Sequence, residues 1–253
     1  MNALELSLIA FGCIFGGVLV GLSLRKVLPV DHLSSESKEI VKIGTGFIAT
    51  LTALVMGLLI SSAKNNFDVV NSGLVQNGTK ILMLDRTLAQ YGPDAKVVRD
   101  SIRSAVISAV CRFWPEKKER FPDAPATPQS FPIEVIQEHI QHLTARDDGQ
   151  RRLQSQALQL CSDLMQIRWQ LVEQTTVSLM PPFLVVLFFW LTILFTSFGL
   201  IAPRNATVIA ILFVCAASAA GAIFLMQELS DPMEGLMKVS PAPLLQAIQL
   251  LGK

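Results

Sequence analysis

The chain has 253 residues, of which 51% are hydrophobic and only 16% charged. Soluble domains carry roughly a quarter charged residues, so an ordinary soluble globule is excluded, and a net charge of +1 gives no basic surface for nucleic acid. Four cysteines without a C-x-x-C pair leave neither a zinc site nor a dithiol motif.

A bilayer core about 30 Å thick takes about 20 apolar helical residues. The first such stretch is Leu6 to Leu24. It has no basic leader, carries Glu5 and is longer than a signal-peptide core, so it reads as a span rather than a cleaved signal. Gly12/Gly16 and Gly17/Gly21 give it two small-residue pairs one turn apart, suited to close helix packing. "HLSSESKEIVK" follows, where His32 precedes serines and Glu36 placed to cap a helix start.

The second span is Ile43 to Ile60. Its "GTGFIA" (44–49) has the spacing of a nucleotide loop, but it sits inside an apolar helix with no strand before it. One stripe of this span is small: Gly46, Thr50, Ala53, Gly57 and Ser61, at steps of 4, 3, 4 and 4. Two readings stand. The stripe is a packing face, or it is the wall of a pore in an oligomer. In the second case Leu54 and Leu58, with Met56 and Leu59, form an apolar gate that closes by excluding water. No span has a charge at its middle, which argues against an ion-coupled transporter.

The second span does not stop at Ile60, because no proline or glycine follows until Gly73. Phe67, Val70, Leu74, Asn77, Ile81, Leu84, Leu88 and Tyr91 continue at steps of 3, 4, 3, 4, 3, 4 and 3, a seven-residue repeat with one polar member. A helix from Ser35 to Gln90 is on the order of 80 Å long, and Gly92-Pro93 ends it. This seam packs either within the chain or between copies, with Asn77 fixing register. Gly73 and Gly78 each cost about 1 kcal/mol in a helix, so a close neighbour is expected beside them.

Residues 61–180 read as an extramembrane helical domain, interrupted by the proline-rich loop Trp114 to Pro132. "EHIQH" puts Glu138 and His142 on one helical face, too few ligands for a metal. Cys111 and Cys161 lie in polar sequence and are able to pair only if this domain is extracytoplasmic. Leu153, Ala157, Leu160, Leu164, Ile167 and Leu171 form a second seam leading to the third span, Pro182 to Ala202. Pro203-Arg204-Asn205 turns the chain into the fourth span, Ala206 to Met226, whose Ala216–Ala222 segment is all small.

The segments "HLSSESKEIVKIGTGFIATLTALVMGLLISSAKNNFD", "LDRTLAQYGPDAK", "FWLTILFTSFGLIAPRNATVIA" and "SDPMEGLMKVSPAPL" resemble a bacterial family labelled bestrophin-like. The resemblance covers nearly the whole chain. Bestrophins are pentameric ion channels whose second membrane helices line the pore, so the resemblance implies a channel built on the second span. Pro232-Met233-Glu234-Gly235 matches their proline-phenylalanine-glycine turn with methionine in the aromatic place. The acidic run that holds calcium in animal bestrophins is absent, and calcium gating is not implied.

The expected fold is all-α, with four transmembrane helices and long helices extending into an extramembrane domain. Its parts are 1–60 (first helix pair), 61–180 (helical domain), 181–228 (second hairpin) and 229–253 (amphipathic tail). The expected protein is a multi-pass, bacterial inner-membrane homo-oligomer that contacts lipid and conducts inorganic ions, with no cofactor. The alternative is a non-conducting scaffold or sensor that binds a partner through its stalk. No catalytic constellation is visible, so an enzyme is not expected.

Arg25, Lys26, Lys42 and Arg204 flank the short-loop ends of the spans, against Lys64 at the other ends. The positive-inside rule then places the helical domain outside the cytoplasm. A membrane-impermeant thiol label is expected to reach a cysteine introduced between Pro122 and Phe131 in intact spheroplasts. Labelling only after lysis would reverse the topology.

Overall fold

A computed structural model describes residues 2–27, 29, 35–121, 133–176, 181–203, 205–233 and 235–252. His32, the proline-rich loop beyond Phe121, Arg204 and Glu234 lie outside the described residues. Among the described residues eight α-helices follow in order: α1 (Ala3–Val27), α2 (Ser35–Tyr91), α3 (Lys96–Phe113), α4 (Ile133–Gln141), α5 (Asp148–Thr176), α6 (Pro181–Ile201), α7 (Ala206–Ser230) and α8 (Ala242–Leu250). Short 3-10 turns occupy Pro93–Ala95 and Pro115–Arg120. Among the described residues there is no strand. Helices α1, α2, α6 and α7 are long and apolar enough to cross a membrane.

The chain divides into two compact units, Met1–Phe67 with Val177–Lys238, and Asp68–Thr176 with Val239–Lys253. The tail 229–253, read from the sequence as one piece, is thus shared between them.

In the first unit α1 packs along both α6 and α7. Its buried residues Leu6, Ala10, Ile14, Gly17, Val18, Gly21 and Leu22 recur every three or four positions, as one helix face must. Glycine sets how near α6 comes. A Cβ on Gly17 would stand 2.9 Å from the Thr192 carbonyl oxygen, and one on Gly21 would collide with the Thr196 carbonyl. From the other side, a Cβ on Gly199 would collide with the Val18 carbonyl. Backbone meets backbone here, which is the packing that small residues allow in lipid. Gly12 and Gly16 face open space, so only one of the two glycine pairs of α1 serves this contact.

Phe11 and Phe15 stack with ring centres 5.7 Å apart, and Phe213 of α7 meets both edge-on. The Thr192 and Thr196 hydroxyls donate to carbonyls four residues back, at 2.7 Å each, so no free donor faces the apolar interior. Arg25 donates to the Ala202 carbonyl and closes the end of α6.

In the second unit α2 and α5 run antiparallel. Gly73 lies against Leu171, Lys80 pairs with Asp163, and the Tyr91 carbonyl meets Gln150, so numbers descend along one helix as they rise along the other. Of the predicted seam, Val70, Leu74, Ile81, Leu84 and Leu88 are buried, and Phe67 and Asn77 are half-buried. Ala157, Leu160, Leu164 and Ile167 of α5 are buried as well. A Cβ on Gly73 would stand 2.8 Å from Leu171, and one on Gly78 would stand 3.1 Å from the Pro243 carbonyl oxygen in the first turn of α8. Both glycines therefore sit where a neighbour comes close.

Helix α3 buries Val98, Ile102, Val106 and Val110, and touches α4 and α8. The buried Trp114 indole donates to the Val239 carbonyl at 3.0 Å. Two glutamines on α5 close the ends of other helices. Gln150 donates to the Tyr91 carbonyl at the end of α2, and Gln154 donates to the Ile140 and Leu143 carbonyls at the end of α4. These are orphan carbonyls that a helix C-terminus always leaves. Gly92 supports the first of these ends with a φ of 120°, a region that favours glycine.

All four cysteines are free thiols. Cys161 is fully buried, and burial pushes its pKa up to about 11. Glu138 and His142 are exposed and 3.9 Å apart. Among the described residues no group of three or more potential ligands is placed to hold a metal.

The Lys80–Asp163 pair, 2.6 Å long, gives a pH dependence. Hydrogen bonds from Lys80 and then Gln159 hold the Asp163 carboxyl below its ordinary value. A carboxylate depressed in the folded state stabilises it above the unfolded pKa of about 4, and that contribution is lost as pH falls through the folded value. Asp163→Asn is expected to melt lower at neutral pH and to show a shallower decline on acidification. Parallel melting curves of the two proteins from pH 7 downward would contradict this.

Candidate functional site

The membrane part of α2 has two unlike faces. Thr45, Ala49, Thr52, Met56, Leu59 and Ala63 follow at steps of 4, 3, 4, 3 and 4 and point inward. Thr45, Thr52 and Ala63 are buried, and Ala49, Met56, Leu59 and Ile60 pack against the apolar core of the first unit. Thr45 and Thr52 return their hydroxyl protons to the Val41 and Ile48 carbonyls at 2.6 and 2.7 Å. Burying them therefore leaves no donor unpaired.

This inner row continues as the seam described above. After one doubled four-residue step, Leu59 to Ala63 to Phe67, the same spacing runs on to Tyr91. A four-residue insertion of this kind locally unwinds a seven-residue repeat. Beside the step the Asn66 Oδ1 is buried and has no partner among the described residues.

The opposite face carries the small stripe together with Leu54 and Leu58; Met56 and Leu59, read from the sequence as part of the apolar gate, lie instead on the inner row against the core. Gly46, Thr50, Ala53, Leu54, Gly57, Leu58 and Ser61 are all exposed. At 3.6 residues per turn they form one continuous face. A Cβ built on Gly46 or Gly57 meets nothing within 4 Å, in contrast to Gly17, Gly21 and Gly199. Gly17 and Gly21 of α1 and Gly199 of α6 are thus consumed by packing inside the chain, and Gly46 and Gly57 of α2 are not.

The face is also asymmetric. The small residues Gly46, Ala53 and Gly57 lie along one edge, and Leu54 and Leu58, 60% and 62% exposed, lie along the other. Ile43 and Phe47 belong to the bulky edge, at 70% and 66% exposure. Sequence reading missed these two, although their spacing of four from each other and of seven from Thr50 and Leu54 places them there. Thr50 donates to the Gly46 carbonyl at 3.0 Å, which leaves its oxygen lone pairs on the open side.

Such a face has three chemical properties. It presents hydroxyl oxygens and accessible backbone to whatever lies opposite, it carries bulky apolar side chains along one edge, and it holds no charge between Lys42 and Lys64. It suits a water-filled passage or a neighbouring helix.

A family model described as Bestrophin-like domain matches residues 12–244. No curated protein and no solved structure matches the chain.

Proposed function

We propose that this chain, which belongs to the bestrophin-like family, is an ion channel that assembles from several copies with the open face of α2 turned toward a central conduit. What supports the reading most is the exposure of Gly46, Thr50, Ala53, Leu54, Gly57, Leu58 and Ser61 together, along one face of α2. Leu54 and Leu58, one turn apart, then form an apolar constriction that stops ions by excluding water. The bacterial inner membrane, the homo-oligomer and the lack of an enzymatic activity belong to the same proposal.

Shrinking Leu58 to alanine is expected to widen and wet the constriction, raising conductance in a planar bilayer. Thr50→Val is expected to change conductance or selectivity by removing a hydroxyl from the wall. Silence of both the wild type and Leu58→Ala at every voltage and pH tried would end the channel reading. The non-conducting scaffold would then stand, and Trp169, 68% exposed on α5 of the second unit, would be the first place to look for a partner contact.

A further inference from the structure

Two carboxylates are buried among the described residues, Asp85 and Glu228. Glu228 stands two residues beyond Met226, where the apolar stretch of α7 ends. Its Oε2 accepts the N–H groups of Leu236 at 2.6 Å and Met237 at 3.0 Å. Gly235 makes the approach possible. Its φ is +85°, and a Cβ there would stand 2.6 Å from the Glu228 carboxylate. The chain leaves α7 at Ser230 and then folds back to the level of Glu228.

That level decides what covers the turn. At about 1.5 Å per residue, Glu228 lies about 3 Å past the end of the apolar stretch. Headgroup layers are roughly 5–7 Å thick on each side of the hydrocarbon core. The side chains carried at this height are large and apolar, with Leu236 78% exposed and Met237 44% exposed. Lys238 follows, exposed, with a stem long enough to reach headgroup phosphates. Backbone N–H groups entering this zone need a partner, because lipid tails supply none. Glu228 supplies it for both residues.

We propose that residues 235–237 form a membrane-seated turn, in which Leu236 and Met237 enter the boundary between headgroups and acyl chains and Glu228 satisfies the backbone that carries them there. The turn anchors the exit of α7 in the bilayer, independently of whether α2 lines a conduit. Its partner is the lipid surface itself.

The test uses the full chain with Cys13, Cys111 and Cys215 replaced by alanine; Cys161 is buried and is kept. A nitroxide is attached at Leu236→Cys and the protein is reconstituted in vesicles of phosphatidylethanolamine and phosphatidylglycerol. Collisions with oxygen, which partitions into lipid, are compared with collisions with a water-soluble nickel chelate. Labels at Val214, exposed on α7, and Lys118, exposed on a 3-10 turn, give the lipid and water references. The oxygen-to-nickel ratio at position 236 is expected to exceed that at 118 severalfold. Equality with position 118, or shielding from both reagents, would overturn the proposal. Glu228→Ala is expected to move the 236 label toward the water value while leaving 214 unchanged; an unmoved 236 label would overturn the part assigned to Glu228.

Discussion

Asp85→Ala is expected to cost about 3–5 kcal/mol of stability, the range for removing one partner of a buried ion pair. The Asp85 carboxylate is 1% exposed and receives Nε and NH2 of Arg99 at 2.7 and 3.0 Å, which joins α2 to α3. The hydrogen bond to Asp85 outweighs burial and raises the Arg99 pKa above its ordinary value. A guanidinium stays protonated even without that partner, so the variant leaves a charged Arg99, 18% exposed, partly buried and without its carboxylate. Asp94→Ala removes a pair of similar length, 2.8 Å to Arg146, but both partners are largely in water. Exposed pairs are worth about 0–1 kcal/mol, so this second variant should melt close to the wild type. Thermal melts of the full chain in detergent separate the two, and an Asp85→Ala melt that overlays the wild type would refute the assignment.

Gly199→Val is expected to be as damaging by a different route. The new side chain would run into the Val18 carbonyl and crowd the Leu22 amide nitrogen, which are backbone atoms and have no rotamer to change. Overpacking ordinarily costs about 1–3 kcal/mol because side chains can shift; here α1 and α6 must separate, and the loss should lie at or above the top of that range. Gly21→Val meets the Thr196 carbonyl in the same way. Gly12→Val faces open space and leaves the fold of the single chain intact. The amount of monodisperse protein recovered in detergent reads the difference. Equal recovery of Gly199→Val and Gly12→Val would mean that the helices do not cross at these glycines.

The four spans were legible because a run of about 20 apolar residues has few other physical explanations. The long α2 was legible for a related reason: nothing between Ser35 and Tyr91 breaks a helix, and Gly92-Pro93 does. The seam from Phe67 to Tyr91 stands out against polar neighbours, which is what makes a seven-residue pattern visible. Its continuation through Thr45, Thr52 and Met56 was not visible, because in an apolar span every face is apolar and periodicity carries no contrast. Nor could spacing tell Gly17 and Gly21, which touch α6, from Gly12 and Gly16, which touch nothing.

The polar connections were the least legible. Gln150 and Gln154 read as ordinary solvated residues of a helix, and only the arrival of two other helix ends beside them gives them their role. Asp85 and Arg99 are fourteen residues apart on different helices, and Glu228 meets Leu236 and Met237 only because the chain reverses at Gly235. The candidate conduit face was proposed from residue size alone. Its two edges, one small and one bulky, came from the structure.

The central claim is that the open face of α2 looks onto a shared axis, and an image of the assembled protein in a lipid disc, viewed down that axis, tests it most directly. The account predicts a ring of α2 helices around an opening framed by Thr50 and Ser61 and narrowed at Leu54 and Leu58. A ring whose centre is closed and filled with lipid, or one in which this face of α2 points outward to the bilayer, would contradict it.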